Sequence, residues 1–262
     1  MTVLAPLGRR TVQVAGLEAR GAYRVLTAHD PDGPRPAPGQ FYMLTAAHRW
    51  GGGSDERPFL PRAFSVLRAH DDGRLDFLLE AVGPGTERLT ELGAGEGLHL
   101  LGPLGNGFTI DPDRRALLVG GGVGIAPLAL LADELGAAAT VLLGFRDAAH
   151  AEGATLVGAE DRVRVATDDG SVGHHGLVLD LLRAELGRGE APLVHACGPP
   201  RMLEAVRALC EAEGVPGQLA LESGMACGFG ACYGCVVPTR GGYARLCVDG
   251  PVIEAAALEE IA

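Results

Sequence analysis

At 262 residues the chain is long enough for about two domains and a small module, and with 47% hydrophobic and 21% charged residues it has the composition of an ordinary globular protein. A formal net charge of −11 argues against nucleic acid and anionic membranes as partners, and no run approaches the ~18 apolar residues of a membrane span. The opening MTVLAPLGRRTVQV lacks a charged region followed by an apolar core and does not read as a signal peptide; six cysteines without a disulfide-like framework point to a reducing, cytoplasmic setting.

The first stretch, residues 1–110, reads as β structure. Short runs at 11–14, 23–27, 41–46, 63–67, 75–82 and 98–101 are separated by turn signals at 30–33, 38–39 and 71–73. In the fifth run Leu75, Phe77, Leu79 and Ala81 share one face by period two. Six short strands with little helical pattern predict a six-stranded antiparallel barrel. Residues 48–60, which hold three consecutive glycines and the only tryptophan, read as a mobile loop.

From Arg114 the pattern changes. Strand-like runs at 116–119, 140–143, 163–166 and 193–196 alternate with helical patterns at 127–135, 177–186 and 200–213. In the last of these Met202, Leu203, Val206, Leu209 and Cys210 form an apolar stripe. Alternating β and α predicts a doubly wound parallel sheet over residues 111–217, and 218–222 leads out of it into a last module, 218–262.

That module carries the strongest chemical signal. Cys227, Cys232, Cys235 and Cys247 fall at C-x4-C-x2-C-x11-C, the plant-type spacing for a [2Fe–2S] cluster, whose irons need four thiolates. Gly224, Gly228, Gly230 and Gly234 suit a loop that adopts positive φ and turns its amides toward sulfur. A structural zinc site also takes four thiolates, but it more often uses paired C-x2-C knuckles, and only one such pair occurs here.

Weaker motifs precede it. Arg62 and Ser65 flank an extended turn and can grip a pyrophosphate. Gly85 and Thr86 open a helical segment, 87–92, where Thr86 is placed to cap and the first amides to bind phosphate; a plain capped turn is the simpler reading. Gly120, Gly121, Gly122 and Gly124 lie between a strand and a helix, the context of dinucleotide binding, with Pro127 where a third fingerprint glycine would stand. Proline suits a first helical position. Asp168 and Asp169 follow the third strand of the sheet, where a carboxylate can bind an adenosine ribose and repel a 2′-phosphate; a solvated turn is the alternative. Arg146 ends the second strand and can reach the same ribose. Cys197 and Gly198 end the fourth strand, and Cys197 is either a nicotinamide-facing residue or a small buried one. His174 and His175 read as surface loop residues.

Taken in order, R-x-F-S at 62–65, G-x-G-T at 83–86, L-G-P-L-G-N-G-F at 101–108, G-G-G-V-G-I-A-P-L at 120–128, T-D-D-G-S-x-G at 167–173, C-G-P at 197–199 and the four-cysteine loop resemble the electron-transfer subunit of class 1B dihydroorotate dehydrogenase, within the ferredoxin–NADP reductase superfamily. The resemblance implies FAD on the barrel, NAD on the α/β domain and [2Fe–2S] on the last module. It places FAD contacts on Arg62, Ala63, Phe64, Ser65, Leu78, Leu79, Glu80, Gly85 and Thr86. It also implies a complex of two such chains with two FMN-containing catalytic subunits. Electrons from dihydroorotate would pass through the cluster and FAD to NAD⁺. The loop at Trp50 departs from the pattern, as does Phe64 where the superfamily often has Tyr. Subunits of sulfhydrogenase and of NADH-dependent ferredoxin:NADP reductase share the same motifs, so a reductase serving a ferredoxin, an oxygenase or a hydrogenase-type partner is the second reading. A zinc-bearing, nucleotide-binding regulatory scaffold is the third.

Overall fold

The computed structural model describes residues 8–52, 57–158, 160–189 and 191–260. Six antiparallel strands open the chain: β1 (Arg10–Arg20), β2 (Tyr23–His29), β3 (Phe41–Ala46), β4 (Arg62–Ala69), β5 (Arg74–Leu79) and, after helix α1 (Pro84–Thr90), β6 (Gly97–Leu104). They close into a barrel in the order β1-β2-β5-β4-β3-β6, as the alternating runs predict. On β5, Leu75, Phe77 and Leu79 point into the barrel with Leu26, Tyr42 and Leu44, while Leu78 points out toward the second layer. Four strands run longer than their apolar patterns, because ladder pairing extends past the last core-facing residue.

The second half is β7 (Ala116–Gly121), α2 (Ile125–Leu135), β8 (Ala139–Phe145), α3 (Ala148–Ala151), β9 (Val163–Thr167), β10 (His174–His175), α4 (Val178–Leu186), β11 (Leu193–Cys197), α5 (Pro200–Glu213), β12 (Gly217–Ala220), β13 (Val236–Thr239), β14 (Gly242–Arg245) and β15 (Val252–Glu254). The main sheet has the order β10-β9-β8-β7-β11-β12-β15, parallel except where β15 runs against β12. β13 and β14 form a separate hairpin.

Three local expectations are revised. Helix α2 begins at Ile125, behind a short 3-10 turn over Gly122–Gly124, so Pro127 is its third residue; an N–H there still has no partner within the helix, and proline costs little. Residues 217–220 form a strand and not a plain exit, and β12 crosses the expected boundary between residues 217 and 218. His174 and His175 are exposed, as expected, but pair with β9 as a short edge strand.

Helix α2 is apolar on all sides and buried from Ile125 to Ala132. Leu130 enters the barrel core while Leu128 and Leu131 pack on the sheet, so this helix joins the two layers. Of the loop expected to be mobile, residues 53–56 lie outside the described residues. Beside them Trp50 packs on the barrel core, and the Arg62 guanidinium lies 5.9 Å from its ring centre. Among the described residues no helix is long and apolar enough to cross a membrane.

Candidate cofactor and electron-transfer site

Two clefts meet at the turn that precedes α2. The first, of about 550 Å³, lies between the barrel and the last module. Arg62, Ala63, Phe64, Ser65, Leu78 and Thr86 line it, so six of the nine expected flavin contacts converge on one wall. Gly85 belongs with them for a steric reason: a Cβ there would lie 2.5 Å from Nε of Arg62. The guanidinium therefore rests directly on the α1 turn, anchored by a 2.6 Å hydrogen bond to the Leu60 carbonyl. Thr86 is not the helix cap. Gly83 holds that position, and Thr86 lies three residues on, where its hydroxyl accepts from the amides of Val82 (2.9 Å) and Gly83 (3.2 Å). Leu79 sends its side chain into the barrel, which leaves only its backbone for a ligand. Glu80 does not line the first cleft and lines the second.

The far wall of the first cleft is Leu221–Ala226, the segment that leads into Cys227. In the loop beyond, the four cysteines fall into two pairs. Sγ of Cys235 and Cys247 are 3.3 Å apart, and the Cys232 thiol hydrogen-bonds Cys227. Desolvation opposes a Cys227 thiolate, but the amides of Phe229, Cys232 and Ala231 and the Cys232 thiol bring it down to about 6. Burial, then the hydrogen bond and field of Cys235, push Cys247 up to about 12. The Gly230 amide donates to Cys247 Sγ (3.1 Å) and the Gly234 amide to Cys232 Sγ (3.4 Å). Among the described residues no three metal-binding side chains gather about a single-ion point. Two thiol pairs with amides aimed at sulfur fit a binuclear cluster better than one zinc ion. Positive φ is confined to Gly228 and Gly230 among the four loop glycines, while Tyr233 takes φ 57°, an unexpected place for an aromatic residue. Cys210 is a buried thiol of α5, raised to about 11 by desolvation, and takes no part.

The second cleft, of about 780 Å³, opens along the carboxyl ends of the parallel strands. Gly121, Gly122 and Asp168 line it. Gly120 and Gly124 act from behind: a Cβ on Gly120 would meet Leu143 at 2.9 Å, and one on Gly124 the Cys197 carbonyl oxygen at 2.5 Å. Gly198 closes against Gly121, its added Cβ falling 3.0 Å from the Gly121 amide nitrogen. Of the two carboxylates, Asp169 is engaged within its own exposed turn, accepting from the amide and hydroxyl of Ser171 (2.9 and 2.6 Å), which depresses its pKa, and Asp168 lines the cleft. Cys197 is 1% exposed. Burial, helped by the Glu222 carboxylate, raises its thiol far above the usual range, so it offers shape and no nucleophile.

Glu80 and Arg146 were singled out separately in the sequence, but their meeting, and the presence of His150 and Tyr23 at this cleft, were not anticipated. Glu80, Arg146, Asp147 and His150 form one ionic cluster at the mouth of the second cleft. For His150 the local signal was Asp147 as the N-cap of α3, its carboxylate accepting from the His150 amide at 3.0 Å. Tyr23 comes from the barrel, lines the same cleft and has a buried hydroxyl without a hydrogen-bond partner.

Residues 222–259 match the iron–sulfur cluster binding domain of dihydroorotate dehydrogenase B. Over 220 residues the chain is 39% identical to the electron transfer subunit of dihydroorotate dehydrogenase B (NAD(+)) from Clostridium acetobutylicum, covering 82% of this chain and 83% of that one. The corresponding subunit of Caldanaerobacter subterraneus is 38% identical over 226 residues, covering 84% and 86%. The chain belongs to the dihydroorotate dehydrogenase B electron transfer subunit family. Among solved structures, a chain of an NADH-dependent reduced ferredoxin–NADP oxidoreductase superposes with a TM-score of 0.81 at 26% identity, covering 97% of this chain and 91% of that one. A ferredoxin reductase of carbazole 1,9a-dioxygenase shares the fold, with a TM-score of 0.64 at 23% identity over 79% of this chain and 66% of that one. The chain is an oxidoreductase subunit that works with a catalytic partner.

Proposed function

We propose that this chain relays electrons between an FMN-bearing catalytic subunit and NAD(H) during the oxidation of dihydroorotate to orotate, two copies of each subunit forming the working complex in the cytoplasm. One observation carries the reading. The turn before α2 is shared by both clefts, with Val123 facing the flavin cleft and Gly121 and Gly122 the nucleotide cleft, and the cluster loop walls the first of them. Cluster, flavin and nicotinamide can therefore lie in sequence without any large movement. Flavin supplies the exchange between hydride and single electrons, and the chain's residues set position and charge. Arg62 neutralises the pyrophosphate, Ala63–Ser65 and Leu78 shape the ring pocket, and Gly121 and Gly122 admit the dinucleotide backbone. Cys227, Cys232, Cys235 and Cys247 would supply the four thiolates that hold the cluster. Asp168 favours a free ribose hydroxyl and disfavours a 2′-phosphate. Phe229 (45% exposed) and Tyr233 (63%) stand on the cluster loop, and Phe59 (72%) lines a hollow beside Cys227, an apolar surface suited to the partner.

The test uses the isolated chain and the complex under anaerobic conditions. NADH alone is expected to bleach the visible flavin and iron–sulfur bands of the isolated chain. Dihydroorotate is expected to do so only when the FMN subunit is present. Bleaching by dihydroorotate without that subunit would place the substrate site on this chain and refute the assignment. A colourless, zinc-containing product would favour the regulatory scaffold. Failure of the FMN subunit to bind, with rapid electron transfer to a ferredoxin, would favour the second reductase reading.

A further inference from the structure

Arg146 lines the second cleft together with Asp168, the carboxylate read as the partner of an adenosine ribose. It follows β8, and the adjoining Asp168–Asp169 turn is tied to it: the Asp168 amide donates to the Phe145 carbonyl at 3.0 Å, and the Asp169 amide to the Arg146 carbonyl at 3.3 Å. A free guanidinium at this edge would favour a 2′-phosphorylated dinucleotide, against the effect of Asp168. It is not free. Glu80, from the barrel, reaches across the domain boundary and accepts from Arg146 Nη2 at 2.6 Å. On the other side His150 Nε2 accepts from Arg146 Nε at 2.9 Å, and His150 Nδ1 donates to Asp147 at 2.6 Å, which fixes the ring. Tyr23 packs edge-on against that ring at 5.5 Å. Arg146 is 60% exposed, but its partners Glu80 (25%) and His150 (12%) are sheltered and hold it from two sides.

We propose that Glu80 is a specificity-determining residue: by engaging Arg146 from the flavin domain, it denies that guanidinium to a 2′-phosphate and reserves the cleft for a dinucleotide with an unphosphorylated adenosine ribose. The proposal rests on the reading of the second cleft as the NAD site. Any 2′-phosphate entering would face the carboxylates of Glu80 and Asp168, with the Arg146 guanidinium beside them already paired. The cleft's other guanidiniums, Arg183 and Arg201, come from α4 and α5.

The experiment is a calorimetric titration of the full chain with adenosine 5′-monophosphate and with adenosine 2′,5′-bisphosphate. Wild type, Glu80→Gln, Arg146→Ala and the double variant are compared, with parallel kcat/KM ratios for NADH and NADPH. Glu80→Gln keeps the shape of the side chain and removes its charge. It should shift the affinity ratio toward the bisphosphate by roughly tenfold or more, the size of one charge-assisted hydrogen bond. The shift should vanish in the double variant, and the NADH-to-NADPH ratio should move with it. An affinity ratio unchanged within about twofold in Glu80→Gln, or a shift that survives loss of Arg146, would overturn the role of Glu80 alone. Failure of the wild type to bind either nucleotide would overturn the NAD-site reading, and the proposal with it.

Discussion

At Gly124 an added methyl group would lie 2.5 Å from the Cys197 carbonyl oxygen, whereas at Gly224 it would meet nothing within 4 Å. Both residues belong to glycine-rich stretches that touch a cofactor cleft, but the stretches use glycine differently. In the turn before α2, glycine is set by what stands against it: the side-chain ends of Leu143 at Gly120 and Met202 at Gly121, which can shift, and the Cys197 backbone at Gly124, which cannot. Only Gly122 there has positive φ, at 56°. In the cluster loop the surroundings are open at Gly224 and nearly so at Gly234, whereas an added Cβ would lie 2.5 Å from Met43 at Gly228 and 2.7 Å from Val248 at Gly230, so there close packing is joined by a need of direction. Gly228 and Gly230 take φ of 79° and 86°, which turns the Gly230 amide onto Cys247 Sγ. One stretch is chiefly a packing joint, while the other combines close packing at two glycines with an arrangement of amides around sulfur.

The largest expected effect tests the second half of that contrast. Cys235→Ser should abolish the iron–sulfur absorption and the electron paramagnetic resonance signal of the reduced chain, while Cys210→Ser, on the buried face of α5, should keep both. Loss of iron from Cys210→Ser with retention in Cys235→Ser would show the loop to be something other than a cluster cradle. Next comes the flavin cleft, where packing and charge act together. Arg62→Ala should weaken FAD retention by about 1.5–3 kcal/mol, roughly 10- to 100-fold. Gly85→Ala should reproduce part of that loss without removing any charge, because its methyl group displaces the guanidinium. Equilibrium dialysis of flavin measures both, and full retention in Arg62→Ala would refute the contact.

The packing joint itself is sharpened by a pair of variants. Gly124→Ala should cost about 1–3 kcal/mol in thermal or urea unfolding, since its neighbour is backbone and cannot swing aside. Gly122→Ala faces open space and should cost only the left-handed backbone penalty, about 1–2 kcal/mol. A costlier Gly122 variant would reverse the argument. The smallest effect is at Gly224, which has neither close neighbours nor positive φ. In flavin-stripped protein Gly224→Ala should raise stability by about 0.4–1 kcal/mol, and clear destabilisation would show that the loop is more closely packed than its glycines imply.

These two stretches also mark what could be read in advance. The cysteine spacing was legible because four thiolates within one short loop have few other uses, and the barrel strands because period-two alternation and turn residues agree along each run. The short strands were not. β10 is two exposed histidines, β12 four residues between a helix and a loop, and β15 three residues; each exists because a neighbour offers a ladder, which local sequence does not record. The same holds for the ionic cluster. Glu80 and Arg146 are 66 residues apart and belong to different layers, so no motif joins them. Glu80 was assigned to the flavin by resemblance, and the strand end that carries it turns it the other way. Asp168 and Asp169 looked equivalent until a serine two positions on claimed one of them.

The placement of β15 bears on how this chain can be taken apart. The cluster loop departs from the sheet along β12 and returns along β15, with Gln218 opposite Glu254 and a 3.0 Å side-chain hydrogen bond between them. The module is thus an insertion stitched at both ends and not an appendage hung from one. A truncation after β12 would bare the backbone groups of an inner strand, and such an edge recruits the nearest matching strand, another copy included. Transplanting the cluster onto a different reductase would therefore mean carrying over both seams, the closing strand as well as the cysteines.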